Sequence, residues 1–300
     1  MARATAWTTL DPRLLRRWPL PTLAPDADKE ERGRVLIVAG SREIPGAALL
    51  AGIAALRAGA GKLVIATAAS VAKSLALALP EARVIALPET GAGSFAPEGL
   101  ELVAESARHT RTALLGPGLM DAAGTCRFLE DLLPLLAHAP VILDALAMDL
   151  VRRQRRFAQP VLLTPHAGEM AHLTGDDKDG VLGEPEAAVV DAAQRWHAVV
   201  ALKGATTLIA TPLGQGWRHE SSHPGLATSG SGDVLAGVIA GLAAQQPPLE
   251  QACAWGVVLH AQAGAALGRR MGPVGYLARE LPAEIPAQLS RLQARSARAA

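Results

Sequence analysis

From residue 33 onward the apolar positions fall into two alternating kinds of segment. Short unbroken runs suit strands buried on both faces, whereas apolar positions spaced by three and four suit helices with one covered side. Residues 33–40, GRVLIVAG, predict a glycine-bounded first strand. Pro45 and Gly46 then suit a helix start, and Leu49, Leu50, Ile53, Ala54 and Leu56 form a stripe that stops at Gly59 and Gly61. Extended runs follow at 63–67, 83–87, 112–115, 141–144, 161–163 and 199–204, separated by helical runs at 71–79, 99–107, 122–136 and 186–196. Such alternation implies right-handed crossovers and a mostly parallel sheet. Residues 206–211 and 214–220 predict an antiparallel pair, 249–268 a long apolar helix, and 277–298 a more polar tail.

The stretch 223–242, HPGLATSGSGDVLAGVIAGL, joins a small-residue loop to an apolar helix. Gly230, Ser231 and Gly232 let backbone amides turn inward, and a helix start aimed at them favours an anion through its unsatisfied N–H groups and dipole. Asp233 lies in that first turn, either as a helix cap or as a reactive acid.

Composition narrows the setting. Half of the 300 residues are hydrophobic but only 3% are aromatic, so the core is built of Ala, Leu, Val and Ile, which suits an α/β class. The net charge of +1 favours a small-molecule partner over nucleic acid or an anionic membrane. Cys126 and Cys253 match no metal or redox spacing and read as core hydrophobes, in keeping with a reducing cytoplasm. No apolar window reaches the ~20 residues of a membrane span, and the first 21 residues lack the apolar core of a secretory signal and read as a surface-packed lead-in. The expected organisation is a lead-in at 1–32, one domain at 33–280 and a polar tail at 281–300.

Several strand ends carry polar or turn residues. In open α/β sheets the carboxyl edge is where ligands bind, so the GPGL turn at Gly116–Leu119, Asp144, and the segment Thr164, Pro165, His166 and Glu169 are candidate walls of one site. A plain turn is the alternative for GPGL, and a His closing its own turn the alternative for His166. His166 and His172 are six apart, do not share a helical face and lack a third ligand, which argues against metal. Lys203 beside Gly204 could reach a phosphate or stand exposed. The GAGK run at 59–62 lacks the glycine and the Ser or Thr that a Walker loop requires. Arg152, Arg153, Arg155 and Arg156 read as a solvated face.

Taken in order, the glycine-bounded strand at 33–40, the run 46–61, GPGL, TPHAGE from Thr164, KGATT from Lys203 and SGSGDVLAG from Ser229 resemble the ADP- or ATP-dependent NAD(P)H-hydrate dehydratases of the ribokinase-like superfamily, over nearly the whole chain. The resemblance implies a three-layer α/β/α fold with a mostly parallel central sheet. It implies nucleotide-dependent removal of water from the S-epimer of hydrated NADH or NADPH, with ADP or ATP as co-substrate and Mg2+ as companion ion. Asp233 would take the proton from the ring hydroxyl as it attacks the terminal phosphate. Ala47, Gly118 and His166 would contact the hydrated cofactor, while Lys203, Gly204, Ala205, Thr206, Thr207 and Gly232 would hold the nucleotide. The family further implies a homo-oligomer, a tetramer, with which the alanine-rich helices are compatible, and a separate epimerase, since the chain lacks room for the epimerase domain of some relatives.

Three positions depart from the family pattern. Ile44 stands where many relatives carry Tyr, Leu146 where they carry a second Asp, and His223 where they carry Asn. Two other readings use the same residues. A hydroxyethylthiazole or hydroxymethylpyrimidine kinase would use Asp233 and Gly232 but release a stable phosphate ester, and a nucleotide sensor with a decayed site would turn nothing over.

Overall fold

The structure is a computed structural model that describes residues 6–22, 24, 26–154, 156–221 and 223–294. The lead-in forms β1 (Trp7–Thr9) and α1 (Pro12–Arg17). The first wound half then runs β2 (Arg34–Val38), α2 (Pro45–Arg57), β3 (Lys62–Ala68), α3 (Ala69–Ala78), β4 (Ala82–Leu87) and α4 (Gly99–Arg108). The second runs β5 (Thr112–Leu115), α5 (Ala122–Leu132), β6 (Val141–Leu143), α6 (Leu150–Arg153), β7 (Val161–Leu163), α7 (Ala167–Thr174), α8 (Lys178–Gly183), α9 (Pro185–Trp196) and β8 (Val199–Leu202). A hairpin of β9 (Thr206–Ala210) and β10 (Gly216–Glu220) leads to α10 (Ser231–Ala243), α11 (Leu249–Met271) and α12 (Leu281–Ala294).

The ten strands form one sheet in the order β1-β10-β9-β8-β7-β6-β5-β2-β3-β4. Only β9 runs against the others, pairing antiparallel with both β8 and β10. Strand residues alternate between two cores, as a period of two requires. Val35, Ile37, Ile65, Leu114, Ile142 and Leu162 face the layer of α2, α10 and α11. Leu36, Val38, Val64, Leu115, Leu143 and Leu163 face the layer of α4, α5 and α9. The mostly parallel sheet expected from the run pattern, and the three-layer α/β/α sandwich that the resemblance implies, are therefore the observed fold.

Three segments differ from expectation. The lead-in supplies an edge strand, with β1 parallel to β10, and buries Leu10, Leu15 and Leu20. Trp18 stacks on Trp217 at 5.3 Å, and its carbonyl accepts bonds from Gln251 Nε2 and Trp255 Nε1. At the other end the polar tail is largely α12, which buries Leu281, Ile285 and Leu292 in the same core as α2 and α10. The helical run at 122–136 changes to a 3-10 turn after Leu132, because Pro134 has no N–H to continue the helix. Of the arginine run, Arg153 pairs with Glu130 and Arg152 reaches His172 at the surface, while Arg155 lies outside the described residues.

Helix α10 is apolar on every side because it is covered on every side. It meets α2 at backbone distance: a methyl group on Gly237 would lie 2.3 Å from the Ala51 carbonyl oxygen, and one on Gly241 would lie 2.3 Å from that of Ala55. Neither contact can relax by moving a side chain. Gly237→Ala should therefore destabilise the protein by about 1–3 kcal/mol, as overpacking does. Gly268→Ala, in α11 with open space around it, should be neutral or stabilising by up to about 1 kcal/mol. Urea unfolding of the two variants checks the pair, and equal effects would refute the packing argument.

Candidate active site

The carboxyl ends of β2, β5, β6, β7 and β8 come together beside the start of α10. Sheet order reverses between β5 and β2, so the crevice a doubly wound sheet uses for ligands opens there. Gly116 leaves β5 at φ +123, and a methyl group there would fall 1.8 Å from the Asp144 carbonyl oxygen, which leaves glycine as the residue that fits. Gly118 follows, its would-be Cβ 2.6 Å from the Ile44 carbonyl oxygen and 2.7 Å from the Ala47 methyl. The turn thus packs on the first turn of α2 and brings Ala47 and Gly118, predicted apart in sequence, into contact.

At the end of β8, Lys203 is drawn inward. Its side chain is only 19% exposed, so it is not the solvent-facing strand-end lysine of the alternative reading. The ammonium lies 3.2 Å from Asp144 Oδ1 and 3.8 Å from Glu169 Oε2. Thr164 Oγ1 donates to the same Asp144 oxygen at 2.6 Å. A methyl group on Gly232 would lie 3.4 Å from Lys203 Nζ, so the cation and the glycine loop share one space. Burial alone would depress the lysine's pKa, but Asp144, Glu169 and Asp233 outweigh it and raise the pKa, so the side chain is a cation.

Asp233 is the third residue of α10, whose cap position is Gly230 at φ +87. No side chain caps this helix, and the Asp233 carboxylate accepts no hydrogen bond among the described residues. The cap reading is therefore excluded. Burial, followed by the negative charge of Asp144, raises its pKa to about 6; Lys203 opposes the shift and Glu169 adds to it. An acid in this state is a carboxylate at neutral pH yet basic enough to accept a proton.

His166 does close its own turn. Its Nδ1 accepts the Glu169 amide at 3.1 Å, and Glu169 Oε2 accepts the His166 amide at 2.8 Å, a reciprocal cap on α7. Because Nδ1 uses its lone pair in this bond, the proton of the neutral ring sits on Nε2, on a side chain 60% exposed. His166 also bridges to Lys203 as the next rung of the sheet, the Lys203 amide donating to the Pro165 carbonyl at 2.7 Å. His172 instead pairs with Asp149 at 2.8 Å on the outer surface.

A cleft of about 770 Å3 opens in front of this edge. His166, Lys203, Gly204, Ala205, Thr207 and Gly232 all line it. Thr206, with its side chain on the opposite face of β9, is exposed and does not. Ala47 and Gly118 lie outside this cleft, beside the N-terminal end of α2. Sequence reasoning placed Asp144 and Glu169 at the edge without linking them to Lys203, a link that only the β6–β7–β8 register makes. It gave no role to His260, which sits inside apolar α11, is buried, and lies 3.1 Å from Ser231 Oγ through Nε2. Burial lowers its pKa to about 4, so it is neutral under the anion loop.

Comparison with known proteins agrees with this geometry. Residues 35–287 match the NAD(P)H-hydrate dehydratase family model. The chain is 47% identical to the ADP-dependent (S)-NAD(P)H-hydrate dehydratase of Xanthomonas campestris pv. campestris, over 95% of this chain and 96% of that one. It is 37% identical to the bifunctional NAD(P)H-hydrate repair enzyme of Moorella thermoacetica, over 92% of this chain but 53% of that longer protein. The fold superposes with a TM-score of 0.82 on the ADP/ATP-dependent NAD(P)H-hydrate dehydratase of Bacillus subtilis co-crystallised with ATP/Mg2+, at 30% identity and covering 96% and 100% of the two chains. A strand-end lysine, a glycine anion loop and an uncapped aspartate on this sandwich, together with matches of that extent, place the chain in the NAD(P)H-hydrate dehydratase family.

Proposed function

We propose that this chain restores hydrated NADH or NADPH to the reduced cofactor, acting on the S-epimer and consuming ADP or ATP. The observation that carries the reading is Asp233: an uncapped, partly buried acid with a raised pKa, on the anion-binding start of α10 and beside the cationic Lys203. The names of the relatives from Xanthomonas and Bacillus support ADP as a co-substrate.

In this reading Lys203, Gly204, Ala205, Thr207 and Gly232 hold the nucleotide, its phosphates against the α10 amides, while Thr206, which faces away from the cleft, takes no part through its side chain. Ala47, Gly118 and the His166 Nε2–H contact the hydrated nicotinamide. Asp233 takes the proton of the ring hydroxyl while its oxygen attacks the terminal phosphorus, and the bond to the leaving nucleotide breaks, giving AMP from ADP or ADP from ATP. Lys203 and the amides near Gly232 stabilise the charge on the transferred group. The ring nitrogen then expels phosphate from the neighbouring carbon, and loss of a ring proton regenerates the dihydronicotinamide.

The donor set fits a magnesium ion. Asp144 and Glu169 are hard oxygen donors on either side of the phosphate-facing lysine, and magnesium typically takes one or two carboxylates together with substrate phosphates and water. Among the described residues no group of three or more His, Cys, Asp or Glu could hold a metal ion. When bound, the ion would neutralise charge on the transferred phosphate.

No helix among the described residues is long and apolar enough to cross a membrane. We further infer reliance on a separate epimerase to supply the S-epimer, and a homo-oligomeric assembly.

Incubation with hydrated NADH, magnesium and ADP or ATP should restore the absorbance of reduced nicotinamide. A stable phosphate ester with no recovery of absorbance would point to the kinase reading. Asp233→Asn should lower kcat by about 10²- to 10⁴-fold, the usual contribution of a general base. Because the active form is the carboxylate and its pKa is raised to about 6, kcat/KM should fall about tenfold per pH unit below 6 and be flat above it. Asp144→Asn removes a charge that raises this pKa, so the limb should move to lower pH. The same shift has a stability consequence of opposite sign. An acid whose folded pKa exceeds its unfolded one destabilises the fold as pH rises through that window, so Asp233→Asn should be more stable than the parent at pH 8, by on the order of 2 kcal/mol, and equal to it at pH 4. Thermal melts at the two pH values test this.

A further inference from the structure

Beyond β10, His223 has extended backbone, at φ −104 and ψ 92. His219, Ser221 and His223 all line the cleft and give it a row of polar side chains. Facing it, Leu226, Leu235, Val257 and Ala261 are apolar. An apolar slot with one polar edge is suited to a flat heteroaromatic ring.

The row has a fixed chemical polarity. His219 Nδ1 lies 2.9 Å from the carbonyl oxygen of Leu10, which can only accept. The proton of the neutral ring therefore sits on Nδ1, and Nε2 is an acceptor with no partner among the described residues. Leu10 is in turn tied down, its amide donating to the Arg218 carbonyl at 2.7 Å. Ser221 Oγ is a buried hydroxyl that also lacks a partner among the described residues, and an unmet buried hydroxyl points to something absent from the free protein.

Strand register orders these groups along the cleft. His219 opposes Thr207, Glu220 opposes Thr206, and the Ser221 amide donates to the Ala205 carbonyl at 2.8 Å. Ser221 thus lies level with Ala205, near the Lys203 end, and His219 lies about 7 Å farther along at ~3.3 Å per residue. A nucleotide with its phosphates at Lys203 and Gly232 would lay its ribose along Ser221 and its base along His219.

We propose that His219 and Ser221 form the nucleoside-reading edge of the cleft, His219 Nε2 accepting a hydrogen bond from the exocyclic amino group of adenine and Ser221 Oγ bonding a ribose hydroxyl. The proposal rests on the reading of the cleft as the nucleotide site and adds its base selectivity. A purine with a carbonyl in place of that amine would set two acceptors against each other, and an unpaired acceptor in a desolvated slot is disfavoured.

The test is calorimetric titration of the full chain with ADP and with IDP, which carries the carbonyl. The parent protein should bind ADP about tenfold more tightly than IDP. His219→Phe should bring ADP down to the IDP level, and His219→Gln, which keeps an acceptor, should restore part of the preference. Ser221→Ala should weaken both nucleotides about threefold and leave their ratio unchanged. Equal binding of ADP and IDP by the parent, or an ADP preference that survives in His219→Phe, would overturn the assignment while leaving the nucleotide cleft in place. Failure of the parent to bind either nucleotide would overturn both.

Discussion

The site depends first on how closely α10 approaches α2. Two glycines of α10 rest on two backbone carbonyls of α2, and at the head of α10 a methyl group on Gly230 would lie 2.5 Å from Leu50. That single crossing fixes the position of Asp233 relative to Ala47, and through Ala47 relative to the Gly118 turn. It also explains why α2 is so rich in alanine: residues 47, 48, 51, 54 and 55 are all buried alanines, and larger side chains would push the helices apart. Close packing here serves placement as much as stability, because interiors at this density do not deform smoothly.

The charges in the site are unbalanced. Asp144, Glu169 and Asp233 surround the single ammonium of Lys203. With Asp144 and Glu169 each within 4 Å of Lys203, one positive charge is shared between two carboxylates before Asp233 is counted. Burial first, and the negative charge of Asp144 and Glu169 after it, lift the Asp233 pKa and give the proposed base its strength. The excess of negative charge would repel a nucleotide, whose phosphates must approach Lys203. A divalent cation would resolve the conflict, so the raised pKa of Asp233 and the proposed magnesium would both follow from one arrangement of carboxylates.

Much of this was legible in the sequence because it is local. Strand runs, helix stripes and the Ser229–Gly237 segment each carry their signal within a short window, and the strand-end rule gathers them at one edge. What stayed hidden depends on distant pairings. The bond from His219 to Leu10 joins residues 209 positions apart, and nothing around Trp7–Thr9 shows that β1 will extend the sheet. The residues around His166 are compatible with a cap or with a ligand contact, and only the structure shows that capping and cleft-lining coexist: Nδ1 serves the helix and Nε2–H faces outward. His260 gave no signal because a lone histidine in an apolar helix reads as core, and it is core, yet it touches the loop residue Ser231.

The three departures from the family pattern can now be located against the chemistry. Ile44 is 49% exposed at the start of α2, with its carbonyl under Gly118. Leu146 lies in the turn after Asp144, where Ala145 adopts φ 47 to swing the chain away from the strand end. His223 lines the cleft. None of the three bonds to Asp233, Lys203, Asp144 or Thr164. The groups that set charge and proton affinity are therefore separate from these three positions. Walls can change shape and selectivity by side-chain substitution alone, whereas the Asp144–Lys203–Asp233 balance shifts whenever one charge is lost. On this physical ground, divergence at positions 44, 146 and 223 is compatible with unchanged chemistry at Asp233.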